Sequence, residues 1–131
     1  MRKNGIINAE LLEALAALKH TDYFVIGDAG LPIPKGVRLI DLAIVRGKPT
    51  FEEVLHAVMP EFTCQSYIIA SETAEKNPHN SSVIERELKG YPGKVVSHEE
   101  LKKISENAAF IIRTGECTPY SNIILKSSAG F

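Results

Sequence analysis

The chain has 131 residues, 44% of them apolar and 24% charged, with a formal net charge of -1. That length suits one domain with its own core, and the even charge balance offers none of the basic face that nucleic acid requires. Two cysteines without a CxxC pair argue against a zinc ribbon or a dithiol redox centre.

Asn8 is the expected N-cap of a first helix, Ala9 to Lys19, with Glu10 in its first turn and Leu11, Leu15 and Leu18 at helical spacing. Tyr23 to Ile26 reads as a buried strand, broken by Gly27-Asp28-Ala29-Gly30. Leu31 to Gly36 is too rich in Pro and Gly for a helix. Leu39 to Val45 is a second strand, closed by Gly47-Lys48-Pro49. Thr50 and Glu53 match a capping box, after which Phe51, Val54, Leu55 and Val58 share one helix face up to Pro60. Tyr67 to Ala70 forms a third strand, and polar Ser71 to Ser82 reads as a loop or a loop with one helical turn. A helix over Val83 to Leu88 ends at Gly90, and Lys94 to Val96 is a brief strand. Ser97 and Glu100 suggest another capping box, with Leu101 and Ile104 facing inward. Ala108 to Ile112 and Ile123 to Leu125 are the remaining strands.

This alternation predicts a single α/β domain over residues 1–131, with a short, mostly parallel sheet and helices on both faces. The strand order does not follow from the pattern. No apolar run nears the roughly 20 residues of a membrane span. Met1 to Glu10 lacks the apolar h-region of a signal peptide, so the expected compartment is the cytoplasm.

In open α/β sheets, ligands bind at the carboxyl ends of strands. Polar residues follow three strands here: Asp28, then His98, then Tyr120 and Asn122 in the Arg113 to Asn122 segment. His20 adds an imidazole that the first helix-to-strand turn could bring near the sheet. Each has an ordinary explanation as well. Asp28, shortly before Gly30, suits a turn, and His20 can complement a helix dipole. His98 can be a surface residue, and Tyr120 and Asn122 can belong to a polar turn. His56, inside a helix, and His79, in a polar stretch, are read as structural. There is no GxGxxG, GxxxxGK[ST], GxSxG or HExxH, so neither nucleotide binding nor the common hydrolase sites find support.

Taken in order, Lys3-Asn4-Gly5-Ile6-Ile7-Asn8, Leu18-Lys19-His20-Thr21-Asp22 and Asp28-Ala29-Gly30-Leu31-Pro32-Ile33-Pro34 resemble the ribose pyranase and fucose mutarotase family. Ser97-His98-Glu99-Glu100 and, most specifically, Arg113-Thr114-Gly115-Glu116-Cys117-Thr118-Pro119-Tyr120-Ser121-Asn122 extend the likeness along the chain. Departures are Cys117 in place of an aromatic residue, Ser121 in place of alanine, and Gly27 in place of alanine. The resemblance implies a cofactor-free isomerase that interconverts the β-pyranose and β-furanose forms of free D-ribose, supporting ribose uptake and phosphorylation. It implies His20 as proton donor and Asp28, His98, Tyr120 and Asn122 as sugar contacts. It also implies a homo-oligomer, a decamer of two pentameric rings with sites between subunits.

The chemistry is compatible with these residues. Opening a hemiacetal takes a proton from the anomeric hydroxyl and gives one to the ring oxygen, which a positioned acid and base accelerate by about 10²–10⁴-fold each. An imidazole titrates near neutrality and can move that proton either way. Three other readings stand beside this one: an L-fucose mutarotase, a non-catalytic sugar-binding ring, and a metal-dependent hydrolase or isomerase using His20, Asp28 and His98.

Overall fold

The computed structural model describes residues 1–131. Six strands form one sheet: β1 (Tyr23–Gly27), β2 (Leu39–Asp41), β3 (Cys64–Ala70), β4 (Gly93–Val96), β5 (Ile111–Arg113) and β6 (Ile123–Ser127). Their order is β2-β5-β1-β6-β3-β4. Five strands point the same way, and β6 runs antiparallel between β1 and β3. The carboxyl ends of five strands and the amino end of β6 therefore share one edge.

Five helices cover the sheet: α1 (Ala9–Ala16), α2 (Phe51–Val58), α3 (Ser71–Lys76), α4 (Pro78–Glu87) and α5 (His98–Ser105). Because side chains alternate along a strand, β1 sends Phe24 and Ile26 to one face and Val25 to the other. On the first face, Phe24, Ile26, Ile112, Ile123 and Leu125 meet Leu11 and Leu15 of α1, the apolar side of α2, and Val83 and Ile84 of α4. On the second, Val25, Ile111 and Ile124 meet Leu101 of α5 and Leu31. Both faces of the central strands are thus buried, which is why β1 and β6 read as continuous apolar runs.

Local chemistry sets the helix starts. Asn8 accepts the Leu11 N–H, and Thr50 forms the full reciprocal box with Glu53. Ser97 accepts the Glu100 N–H, but no return bond from Glu100 is made, so this cap is one-sided.

Several expected boundaries move. The polar segment after β3 is not a loop: it holds α3 and the start of α4, separated only by Asn77. Asn77 caps α4 by accepting the Asn80 N–H, and Pro78 occupies the first helical position, where a missing N–H costs nothing. The second strand stops at Asp41, because the Asp41 carboxylate turns to accept the Ala43 N–H. The fifth strand begins later than expected, at Ile111, and α1 ends at Ala16 rather than Lys19. No helix is long and apolar enough to cross a membrane.

Candidate active site

The common edge of the sheet collects four of the five singled-out residues. Asp28 follows β1 and His98 opens α5 directly after β4, while Tyr120 and Asn122 precede β6. Asp28 donates its backbone N–H to Asn122 Oδ1 at 2.9 Å, and its own Oδ1 accepts the Gly30 N–H at 2.9 Å. The His98 ring stands edge-on to Tyr120, with centroids 5.0 Å apart and planes at 78°.

Two buried polar atoms here lack a partner within the chain: His98 Nδ1 and Asn122 Nδ2. Buried polar groups are nearly always paired, so two orphans on one edge make it the candidate site for a ligand. The Asn122 amide orientation follows from its neighbour: Oδ1 takes the Asp28 N–H, which leaves the NH₂ group free. Burial pushes the Asp28 carboxyl above the ordinary aspartate range, against the opposing pull of the Gly30 N–H, Asn122 and the nearby His98. The Asn122 side chain is close enough to lower it, yet its Nδ2 completes no hydrogen bond.

The segment from Arg113 to Asn122 is tightly held. Tyr120 has a positive φ of 57°, a conformation that non-glycine residues adopt at a cost, and Thr73 of α3 donates its hydroxyl to the Tyr120 carbonyl at 2.8 Å. Asn77 Nδ2 donates to the Pro119 carbonyl and to the Thr118 and Ser121 hydroxyls, and Asn80 Nδ2 donates to Ser121 at 2.8 Å. Glu116 accepts the Phe51 N–H and the Thr118 hydroxyl, tying the segment to the start of α2. Arg113 pairs with Asp41 at 3.0 Å and donates Nε to the Ala29 carbonyl. A cavity of about 520 Å³ adjoins Asp28, bounded by Arg46, Arg113, Glu116 and Cys117 among others.

His20 does not join the other four within one chain. It lies exposed just before β1, at the opposite edge of the sheet, and the five residues of that strand alone span about 16 Å. There its Nδ1 accepts the Ala129 N–H at 3.2 Å, which leaves Nε2 as the nitrogen carrying hydrogen in the neutral ring. His56 and His79 are surface ion-pair partners of Glu87 and Glu52, in line with their structural reading. No three His, Cys, Asp or Glu side chains come together at metal-binding range.

Little in the sequence singles out Glu72, Thr73, Asn77 or Asn80, and Glu116 stands out only as part of the Arg113 to Asn122 motif, although all five hydrogen-bond to the segments carrying His98, Tyr120 and Asn122. One local signal was available for part of this set: Asn77-Pro78 is an N-cap followed by an N1 proline.

A ligand rich in hydroxyls would satisfy the orphaned imidazole and amide together, so fold and edge define an open α/β protein built to hold a small polar molecule. The chain belongs to the RbsD / FucU transport protein family, whose model matches residues 1–129. It is 47% identical over 131 residues, all of both chains, to the D-ribose pyranase of Symbiobacterium thermophilum. It is 46% identical over the same full lengths to the D-ribose pyranase of Corynebacterium glutamicum. The structure of Bacillus subtilis RbsD complexed with D-ribose superposes with a TM-score of 0.96 at 40% identity, covering 100% of each chain. The Streptococcus pneumoniae fucose mutarotase in complex with L-fucose shares the fold, at a TM-score of 0.79, 22% identity and 95% coverage of each chain.

Proposed function

We propose that this chain is a sugar isomerase that interconverts the β-pyranose and β-furanose forms of free D-ribose. The observation that carries the reading is the end-to-end likeness to a protein bound to D-ribose, with a TM-score of 0.96.

The reaction proceeds through the open aldehyde. The bond from the anomeric carbon to the ring oxygen breaks, the anomeric hydroxyl gives up its proton, and the ring oxygen receives one. The C4 hydroxyl then adds to the aldehyde, losing its proton as the new anomeric hydroxyl gains one. Protons balance, and no electrons are exchanged. His20 supplies the proton through Nε2. Asp28, His98, Tyr120 and Asn122 grip the hydroxyls, with the free Asn122 NH₂ as a donor and the Asp28 carboxylate as an acceptor.

Since His20 is remote from these four residues in its own chain, the working site combines His20 of one subunit with the edge of another. We assign the chain to a homodecamer of two pentameric rings, located in the cytoplasm. Exposed Ile44 and Val45, on the loop bordering the Asp28 cavity, support a contact between subunits there. The two cysteines are free thiols, in keeping with a reducing compartment.

Saturation-transfer NMR between the anomeric signals of ribose tests the reading, with L-fucose in a parallel sample. Pyranose–furanose transfer is expected to increase for ribose and to exceed any effect on fucose. Ribose binding with unaccelerated exchange would instead support a non-catalytic sugar-binding protein.

A further inference from the structure

We propose that Glu72 is a positioning residue for His98, and that the first turn of α3 sets the spacing of the His98–Tyr120 pair; this rests on the isomerase reading above. In the β3–β4 pairing, Ala70 lies opposite Val96, so the residues that follow each strand emerge side by side. Glu72 thereby reaches the start of α5. Its two carboxylate oxygens accept the His98 backbone N–H at 3.0 and 3.3 Å, and the Ser71 hydroxyl braces the carboxylate at 3.0 Å. The next residue, Thr73, holds the Tyr120 carbonyl at 2.8 Å. Adjacent residues of one short helix thus fix the backbones of both rings, which meet edge to face at 5.0 Å.

Two residues cap the start of α5, and they act on different N–H groups. The Ser97 hydroxyl takes the Glu100 N–H at 3.1 Å, so that side chain stabilises the helix without a hydrogen bond to His98. Glu72 takes the N–H of His98 itself, whose Nδ1 is buried and unpartnered. Among the charged groups around His98 are Asp28 after β1 and Glu99, which pairs with Lys102 at 2.8 Å. Glu72 is bonded to the His98 backbone, and its carboxyl is held below the usual glutamate range, first by its own N–H.

The test compares Glu72→Ala, Glu72→Gln and Ser97→Ala by saturation-transfer NMR over a range of ribose concentrations, with ribose Kd from calorimetry. Glu72→Ala is expected to lower kcat/KM about tenfold, mainly through KM, because a misplaced contact residue weakens its grip on the sugar. Glu72→Gln keeps one acceptor oxygen and is expected to stay within about threefold of the parent protein. Ser97→Ala is expected to lower the thermal midpoint while leaving KM unchanged. Glu72→Asp, one methylene short, replaces the alanine variant if that fails to fold and carries the same expectation. An unchanged KM in the Glu72 variant, or an equal rise in Ser97→Ala, overturns the positioning role. Absent exchange in the parent protein overturns the isomerase reading instead, and the ribose Kd of the variants then decides the role of Glu72 by the same comparison.

Discussion

The backbone N–H of Asp28 donates to Asn122 Oδ1 across 2.9 Å, joining the end of β1 to the start of β6. This bond continues the β1–β6 pairing by one side chain and leaves the Asn122 NH₂ group unpartnered at the candidate edge. Asn122→Asp preserves the acceptor for the Asp28 N–H but replaces the donor with an oxygen beside a second carboxylate. A lost donor with repulsion in its place costs about 1–3 kcal/mol, so ribose KM should rise about 5–150-fold. Titration of exchange against ribose concentration measures it, and an unchanged KM would remove the Asn122 NH₂ from sugar binding.

Asp28 carries a cost in the folded state. Because burial raises its folded pKa, the native state holds its proton more tightly than the unfolded chain does. Stability from this group is therefore lost as pH rises from the ordinary aspartate range through the raised folded value, and it stays lost at neutral pH. Asp28→Asn should accordingly raise the thermal midpoint at pH 7 while abolishing most exchange, and the gain should shrink in acid below the ordinary aspartate range. Calorimetric scans at both pH values check this; a gain that persists undiminished in acid would mean that the carboxylate is not its source.

Asn77 holds the Arg113 to Asn122 segment from beneath. Asn77→Ala removes the α4 cap, strands the Pro119 carbonyl and takes one partner from each of the Thr118 and Ser121 hydroxyls. The combined loss is about 2–4 kcal/mol, readable by urea unfolding, with activity falling because the Tyr120 backbone loses its support. A loss within 0.5 kcal/mol, of order a surface substitution, would show the network to be dispensable.

Gly115 tests the same segment by crowding. A Cβ placed there would lie 2.3 Å from the Lys48 carbonyl oxygen and 2.6 Å from its carbon, both backbone atoms that cannot swing aside. Gly115→Ala should displace the segment, lowering both the thermal midpoint and the exchange rate. A variant with parent-like melting and exchange would contradict the close approach.

What the sequence revealed follows from where its information is local. The continuous apolar runs of β1 and β6 and the capping chemistry of Asn8 and Thr50 depend on neighbours a few positions away, and the sequence shows those elements. Helix α3 and the first turn of α4 fall in a stretch that reads as loop because it is rich in Ser, Thr, Asn and His, weak helix formers, and Thr73, Asn77 and Asn80 find their partners in the distant Thr118 to Ser121 segment. The strand order, with β6 inserted antiparallel between β1 and β3, rests on long-range pairing that no periodicity records. That Asp28, His98, Tyr120 and Asn122 share one edge was legible because each lies at the end of a strand recognisable in the sequence. Glu72 was hidden because its partner is a backbone N–H 26 positions away. The apartness of His20 follows from chain order: it precedes β1 and Asp28 follows that strand, so the turn expected to bring it near the other four residues leaves it at the opposite edge.

The claim on which the account turns is that a proton-donating His20 from one subunit completes the edge formed by another. Subunit mixing tests it most directly. His20→Ala and His98→Ala proteins, each expected to be inactive alone, are unfolded, combined in equal amounts and refolded, and ribose exchange is measured by saturation transfer. About one quarter of the sites then receive an intact His20 and an intact edge from different chains, so about a quarter of the parent activity should return. A mixture as inactive as its components would contradict a shared site.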